Sequence, residues 1–226
     1  MSMPTALIIG ASRGIGAELA RQYRDAGWRV IATVRKSTDG DDLRKLGCDV
    51  LTVEIDNVEH CAMLGSQLRE ESLDVAVLCA GVYGPHTGGL HAPSAADFDT
   101  VMHANVLGAM HLLPLLGPLV ISAKGRLAVL SSIMGSIALR TNTNGWLYRA
   151  SKAALNSVLA DAALTFGPAG AICVALHPGW VRTEMGGSEA DLSVTDSAAG
   201  LRTTLEKVRP SDNGKFLNYD GTSLPW

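Results

Sequence analysis

Three side chains, Ser132, Tyr148 and Lys152, stand in an order and spacing that could place a proton on a carbonyl oxygen. Tyr148 and Lys152 are four residues apart in the run YRASKAALNSVLADAALTF, so a helix there projects both from one face, one turn apart. A phenol ordinarily titrates at about 10, and an ammonium beside it favours the phenolate, lowering that value toward the range where a proton exchanges at neutral pH. Ser132 ends an apolar run and offers a hydroxyl to the same oxygen. A Tyr/Lys pair at this spacing also occurs by chance on solvent-facing helices, so the reading depends on what positions the pair.

Strand-length apolar runs alternate with helix-length amphipathic segments along most of the chain, the pattern of a parallel sheet with crossover helices on both faces. The strands are read at 5–10, 29–35, 49–56, 73–81, 125–132, 171–179 and 214–221. Helices are read after Gly16, in DDLRKLG, after Asn57, from Ala96 to about Val120 with Asn105 inside, from Tyr148 to Phe166, and from the capping pair Ser193/Asp196 to about Val208. In an open parallel sheet, ligands bind outside the carboxyl ends of the strands, where strand order reverses. Gly10, Arg35, Asp56, Gly81, Ser132 and the Pro178-Gly179 pair all fall at such ends.

The loop GASRGIG places Gly10, Gly14 and Gly16 between the first strand and a helix, with Ser12, Arg13 and Ile15 between them. Backbone N–H groups at that helix start are left open to an anion, which makes the loop a phosphate cradle. Its spacing differs from the common G-x-G-x-x-G fingerprint. Arg35 ends the second strand, where an NAD site would show an acid bonding the ribose hydroxyls; an arginine there suits a 2′-phosphate, with Arg13 as a second cation. The implied cofactor is NADP(H), against the plainer reading of Arg35 as a solvated strand end. Asp56, with Asn57 beside it, has two readings of equal standing, acceptor for an adenine amino group or turn former.

Composition narrows the classes further. At 226 residues with 47% hydrophobic content, the chain is long enough for one sizeable core, and a single domain over 1–226 is expected. A net charge of -3 without a basic run argues against nucleic acid or an anionic membrane as partner. Met1 to Gly10 has neither a basic start nor a cleavage site and no run of eighteen apolar residues follows, so a cytoplasmic protein is expected. Cys48, Cys61, Cys79 and Cys173 lack metal-ligand spacing, as do the six histidines; they read as reduced core residues, and no metal is expected. Asn105 sits in a helical pattern it does not favour, so its amide is expected to hold a water or a backbone group near Lys152.

Taken together, these residues resemble the short-chain dehydrogenase/reductase family over essentially the whole chain. GASRGIG is similar to the family's cofactor loop, Asn105 to its catalytic asparagine, Ser132 with Gly135 to its serine motif, and YRASK to its Tyr-x-x-x-Lys. HPGWVRTEMGG resembles the segment that touches the nicotinamide, with Pro178, Gly179 and Val181 along it and Thr183 as the carboxamide contact. The closing NYDGTSLPW and the residues around Met134 and Tyr148 look most like the C-factor and sniffer branch of carbonyl reductases. The resemblance implies that Ser132 orients the carbonyl and Tyr148 is the acid/base. It also implies that Lys152 lowers the tyrosine pKa and binds the ribose, and that Asn105 holds a proton-relay water. The implied fold is a seven-stranded Rossmann-type parallel sheet in the order 3-2-1-4-5-6-7. One departure stands out: Cys79-Ala80-Gly81 follows Leu78 where the family usually shows Asn-Asn-Ala-Gly, removing amides that tie neighbouring strands.

The expected function is NADPH-dependent reduction of a small ketone or aldehyde, or the reverse oxidation. The alternative is a binding module that keeps the dinucleotide site as a sensor or signalling protein and does not turn over. The loops 82–95, 140–146 and 184–192 are expected to border the substrate, the stretch from Trp180 to Leu192 as a lid. The long helices around Asn105 and after Tyr148 are the surfaces on which a homodimer or tetramer would pair.

Overall fold

The computed structural model describes residues 3–226. Its sheet contains β1 (Thr5–Ile9), β2 (Arg29–Val34), β3 (Asp49–Thr52), β4 (Val75–Leu78), β5 (Arg126–Leu130), β6 (Ile172–His177), β7 (Phe216–Asn218) and β8 (Ser223–Leu224). They lie in the order β3-β2-β1-β4-β5-β6-β7-β8. All pairs are parallel except the last. Strand order reverses between β1 and β4, so the carboxyl ends of those two strands open a crevice.

The eighth strand departs from the seven expected. Asp220-Gly221 turns the chain back after β7, Gly221 taking φ +87°, a left-handed conformation that a side chain disfavours. Leu224 then pairs with Phe216 in antiparallel register. The other strand limits contract toward the interior: β3 ends at Thr52 rather than Asp56, and β4 at Leu78 rather than Gly81. The freed residues become the walls of the crevice.

Alternation along β1 sets the two layers. Leu7 and Ile9 pack with Leu64 and Leu68 of α3 (Val58–Leu68), Leu112 and Leu116 of α5 (Gly108–Ser122), and Leu155 and Leu159 of α6 (Trp146–Phe166). Ala6 and Ile8 face the other way, onto Leu19, Ala20 and Tyr23 of α1 (Gly14–Asp25) and Ala198, Leu201 and Leu205 of α7 (Val194–Lys207). Short α2 (Asp41–Lys45) adds Leu43 to that second layer. Leu7 and Ile8 are fully buried, each side chain contributing about 1.5–3 kcal/mol by leaving water. The four cysteines are free; Cys48, Cys61 and Cys173 are buried, in keeping with their reading as small core residues, and Cys79 is half-buried, packed against the second layer.

The helix read from Ala96 to about Val120 is one continuous element from Ala95 to Ser122, built as α4 (Ala95–Met102), a π-helical turn (His103–Leu107) and α5. At 28 residues, with an 18-residue window of mean hydropathy 1.7, it is long and apolar enough to cross a membrane, yet 56% of that window is buried in this fold, with Leu112, Leu116 and Val120 against the sheet layer. Asn105 sits inside the π turn. An asparagine there costs helix propensity, and the wider turn re-aims its amide toward the strand ends.

Candidate active site

The residues freed from β3 and β4, the glycine loop and the segment after β6 surround a cleft of about 600 Å³ at the carboxyl edge of the sheet. Gly10, Ser12, Arg13, Gly14, Ile15 and Gly16 line one end, with Arg35 and Asp56 beside them. Cys79, Ala80 and Gly81 form the floor, Tyr148 and Lys152 the far end, and Pro178 and Thr183 the wall contributed after β6.

The glycine loop has the form of an anion cradle. Arg13 is the N-cap of α1 but makes no side-chain cap bond, and the first turn carries no acid, so the leading N–H groups of α1 have no capping partner among the described residues. A Cβ at Gly16 would lie 2.2 Å from the Gly10 carbonyl oxygen, so that close approach of loop to helix needs glycine. Thr33, which the sequence reading passed over, fastens the loop: the Gly10 N–H donates to Thr33 Oγ1 at 3.0 Å, and the Ala11 N–H to the Thr33 carbonyl at 2.8 Å. Only its position one strand away, outside any motif, hid it. Arg35 is exposed and has no hydrogen bond or ion pair among the described residues. Arg13 instead forms an ion pair with Glu184 across the cleft mouth. A pyrophosphate-bearing ligand with a further anionic group near Arg35 fits this donor set.

At the far end, Tyr148 and Lys152 are 7% and 4% exposed. Lys152 Nζ donates to the Leu130 carbonyl at 2.8 Å and stands 5.7 Å from the centroid of the Tyr148 ring. Ser132, 8% exposed, caps a short 3-10 turn (Ile133–Gly135), its Oγ accepting from the Met134 N–H at 3.2 Å. Gly135 lets that turn lie on α6, since a Cβ there would stand 2.8 Å from the Lys152 carbonyl carbon. The expected fall in the tyrosine pKa is not what the site shows. Burial pushes the Tyr148 phenol up to about 12, with the Ser132 hydroxyl pulling it down and Tyr83 adding to the rise. Burial likewise brings the Lys152 ammonium down to about 8. Desolvation is the largest cause of both shifts, as both side chains are buried at the end of the cleft.

Asn105 holds backbone. Its Oδ1 accepts from the Val82 N–H at 2.8 Å, and its Nδ2 donates to the Val82 carbonyl at 2.8 Å and to Ser151 Oγ at 2.9 Å. Both amide hydrogens are thereby used, so of the two expectations for this side chain, a water or a backbone group, the second is met. Leu78 and Cys79 stand where the family shows its two amides, and the strand end is tied instead through backbone, the Cys79 and Ala80 N–H groups both donating to the Ile9 carbonyl at 2.9 and 3.1 Å. The Cys79 thiol is pushed up to about 12 by burial, which keeps it protonated and unreactive at neutral pH.

Several residues named for cofactor contact lie off the cleft. Asn57 caps α3 by accepting from the His60 N–H at 3.0 Å. Gly179, at φ +84°, packs toward Leu192 and Tyr219, and Val181 is buried in a bridge to Leu192. Gly179 and Val181 shape the segment that carries Thr183 rather than lining the cleft. That segment, 180–192, is bonded within itself: Arg182 donates to the Ala190 and Asp191 carbonyls, the Trp180 indole to the Gly186 carbonyl, and the Gly186 N–H to Thr183 Oγ1. Glu54 also lines the cleft, as do Arg182, Glu184 and Met185 from the stretch expected to act as a lid; none was singled out by residue, because strand ends and loops carry no periodic signal.

Residues 10–217 match the family model described as Enoyl-(Acyl carrier protein) reductase. The curated protein named C-signal from Myxococcus xanthus is 37% identical over 155 residues, spanning 68% of this chain and 93% of its own length. A crystal structure described as a short-chain dehydrogenase/reductase from Burkholderia multivorans with bound NADP superposes with a TM-score of 0.90 at 32% identity, covering all of both chains. The carbonyl reductase Sniffer of D. melanogaster superposes with a TM-score of 0.91 at 28% identity, again over both whole chains. The matched glycine loop, the Tyr-x-x-x-Lys helix and this likeness over full length place the chain in the short-chain dehydrogenase/reductase family.

Proposed function

We propose that this protein is an NADPH-dependent oxidoreductase that reduces a small ketone or aldehyde to an alcohol, or runs the reverse reaction, within one domain and without a metal. The observation that carries the reading is the placement of Tyr148 and Lys152 at one end of a cleft whose other end is a helix start without a side-chain cap and an arginine, Arg35, that has no bonded partner among the described residues. NADP in the Burkholderia structure and carbonyl reduction by Sniffer support it.

In this reading the N–H groups of 12–16 hold the pyrophosphate, Arg35 binds the 2′-phosphate, and Asp56 faces the adenine side. The bound nicotinamide supplies the hydride. Tyr148, protonated across the neutral range because of its raised pKa, donates a proton to the carbonyl oxygen, and Ser132 orients that oxygen. Lys152, anchored on the Leu130 carbonyl, lends positive charge beside the phenol and reaches toward the ribose. Asn105 acts by clamping Val82, and through Ser151 it steadies the turn of α6 that carries Lys152. A cytoplasmic location and a homo-oligomer built on α5 and α6 go with this proposal.

The name C-signal on one relative supports a second reading, a dinucleotide-binding signalling protein without turnover. Consumption of NADPH with a panel of diketones, quinones and aromatic aldehydes separates the two. Saturable turnover in the wild type, lost in Tyr148→Phe while NADPH still binds within about threefold, is the expected result. Turnover retained by Tyr148→Phe would remove Tyr148 from the acid/base role, and none from the wild type with any carbonyl would favour the binding module.

A further inference from the structure

Tyr148 does not stand alone in the cleft wall. The ring of Tyr83, in the loop after β4, lies against it with centroids 4.7 Å apart and planes 25° from parallel. On its other face Tyr83 carries the His86 imidazole, centroids 4.6 Å apart at 21°. The three rings make a column that runs from exposed His86 through half-buried Tyr83 to the buried phenol.

The backbone around the column is built to hold Tyr83 where it is. Gly145 takes φ +64° immediately before α6, and a Cβ there would stand 2.4 Å from the Tyr83 hydroxyl oxygen, so any other residue at 145 would displace the ring. The same corner grips the loop that carries Tyr83. The Gly145 N–H donates to the Thr87 carbonyl at 3.1 Å, and the Trp146 indole N–H to the His91 carbonyl at 2.9 Å. Gly84, at φ +79°, seats the loop on α4, where a Cβ would come within 2.4 Å of Val101. A loop with no regular structure is thus pinned at both ends of the column, by contacts that leave the Tyr83 ring one place to go.

We propose that Tyr83 is a positioning residue for Tyr148, its ring fixing the plane and depth of the phenol through face-to-face contact. The proposal rests on the reading of Tyr148 as the acid/base. A tyrosine on a helix face can rotate about its χ angles, and proton transfer is sensitive to displacements of the donor well under an ångström. A second ring laid on the first removes that freedom without touching the reacting oxygen. The Tyr83 hydroxyl is not needed for this; the ring is.

The test uses the full chain and three substitutions. Tyr83→Ala removes the ring, Tyr83→Leu keeps apolar bulk without it and guards against a fold that fails to form, and Tyr83→Phe keeps the ring without the hydroxyl. For the alanine and leucine variants kcat for carbonyl reduction should fall about tenfold or more, while NADPH dissociation stays within about twofold. The phenylalanine variant should hold kcat within about twofold of wild type. In parallel, tyrosine rings labelled with carbon-13 give a readout independent of turnover, the Tyr148 signals being those absent from Tyr148→Phe. They should lose the ring-current displacement from Tyr83 in the alanine and leucine variants and keep it in the phenylalanine variant. Tyr148 ring signals unmoved in Tyr83→Leu, or kcat unchanged there while Tyr148→Phe is inactive, would overturn the positioning role alone. Turnover retained by Tyr148→Phe would overturn the acid/base reading, and the role of Tyr83 with it.

Discussion

Arg13 and Glu184, 171 positions apart in sequence, close the mouth of the cleft as an ion pair between the glycine loop and the segment after β6. Both side chains are largely exposed, 67% and 74%, so the pair itself adds little stability. Its consequence is for binding. In the proposed binding mode Arg13 shares its charge between a phosphate and Glu184, and that carboxylate repels the same phosphate. Glu184→Gln should therefore tighten NADPH binding, by about three- to tenfold at low salt, and the gain should shrink as salt screens it. Equilibrium titration at two ionic strengths checks this, and an unchanged dissociation constant at low salt would make the pair incidental.

Cofactor choice then rests mainly on Arg35, which has no competing acid bonded to it among the described residues. Each charge-assisted hydrogen bond to a 2′-phosphate contributes about 1.5–3 kcal/mol, so a preference for NADPH over NADH on the order of a hundredfold in kcat/KM is expected after solvent discounting. Arg35→Asp should reverse much of it, since the new carboxylate repels the phosphate and accepts from a free ribose hydroxyl. Comparing kcat/KM for both cofactors in the two proteins decides; an unchanged ratio leaves Arg35 a solvated strand end.

The difference between these two arginines shows what the sequence could and could not reveal. The helix layers on both faces and the end-of-strand positions of Gly10, Arg35 and Ser132 followed from alternation and spacing, because burial imposes those periods on the chain, whereas strand order came from the family resemblance. The pairing of Arg13 with Glu184, the tie from Thr33 and the ring of Tyr83 depend on which loops meet, and no local period encodes a meeting across 171 residues. The eighth strand was legible in hindsight, since Asp-Gly between apolar residues is a hairpin signal; the short Ser223–Leu224 strand hid it. The sign of the Tyr148 shift was not legible, because a spacing of four places the ammonium near the ring but says nothing of how much water the fold removes from both.

Gly135 should tolerate no side chain. A Cβ there would meet the Lys152 backbone at 2.8 Å, with neither partner able to swing aside as a flexible side chain would. Gly135→Ala should cost about 1–3 kcal/mol of stability and lower kcat as the turn of α6 bearing Lys152 shifts. Thermal unfolding and kcat measured together test this, and a variant that keeps the melting point and turnover of the wild type would mean that the α6 contact is not tight.

The two shifted groups set a pH profile. Lys152 keeps its charge below about 8 and loses it above, whereas Tyr148 stays protonated up to about 12. In the proposed mechanism reduction needs a protonated phenol with a cation beside it, so kcat/KM for the carbonyl should be level below about pH 8 and fall above it. The stability signs run oppositely: a depressed lysine value makes the fold gain stability as pH rises from 8 toward 10.5, and a raised tyrosine value makes it lose stability between 10 and 12. A falling limb located near 12 instead of near 8 would show that the Lys152 charge is not required.

Asn105 offers a way to move that limb by design. Its Oδ1 and Lys152 Nζ both lie within 3.4 Å of the point where a Gly81 Cβ would stand, so a charge placed on Asn105 acts on the ammonium at close range. In Asn105→Asp one oxygen can still accept from the Val82 N–H, but the donations to the Val82 carbonyl and Ser151 are lost. The new carboxylate favours the charged lysine, and an opposite charge at this range raises such a pKa by about one unit or more. The falling limb of kcat/KM should move up accordingly, at some cost in melting temperature from the unmatched Val82 carbonyl. Asn105→Ala separates the two effects: it loses the whole clamp and should melt lower still, yet it introduces no charge and should leave the limb no higher than in the wild type. A limb that stays in place in Asn105→Asp would mean that the group titrating near 8 is not Lys152.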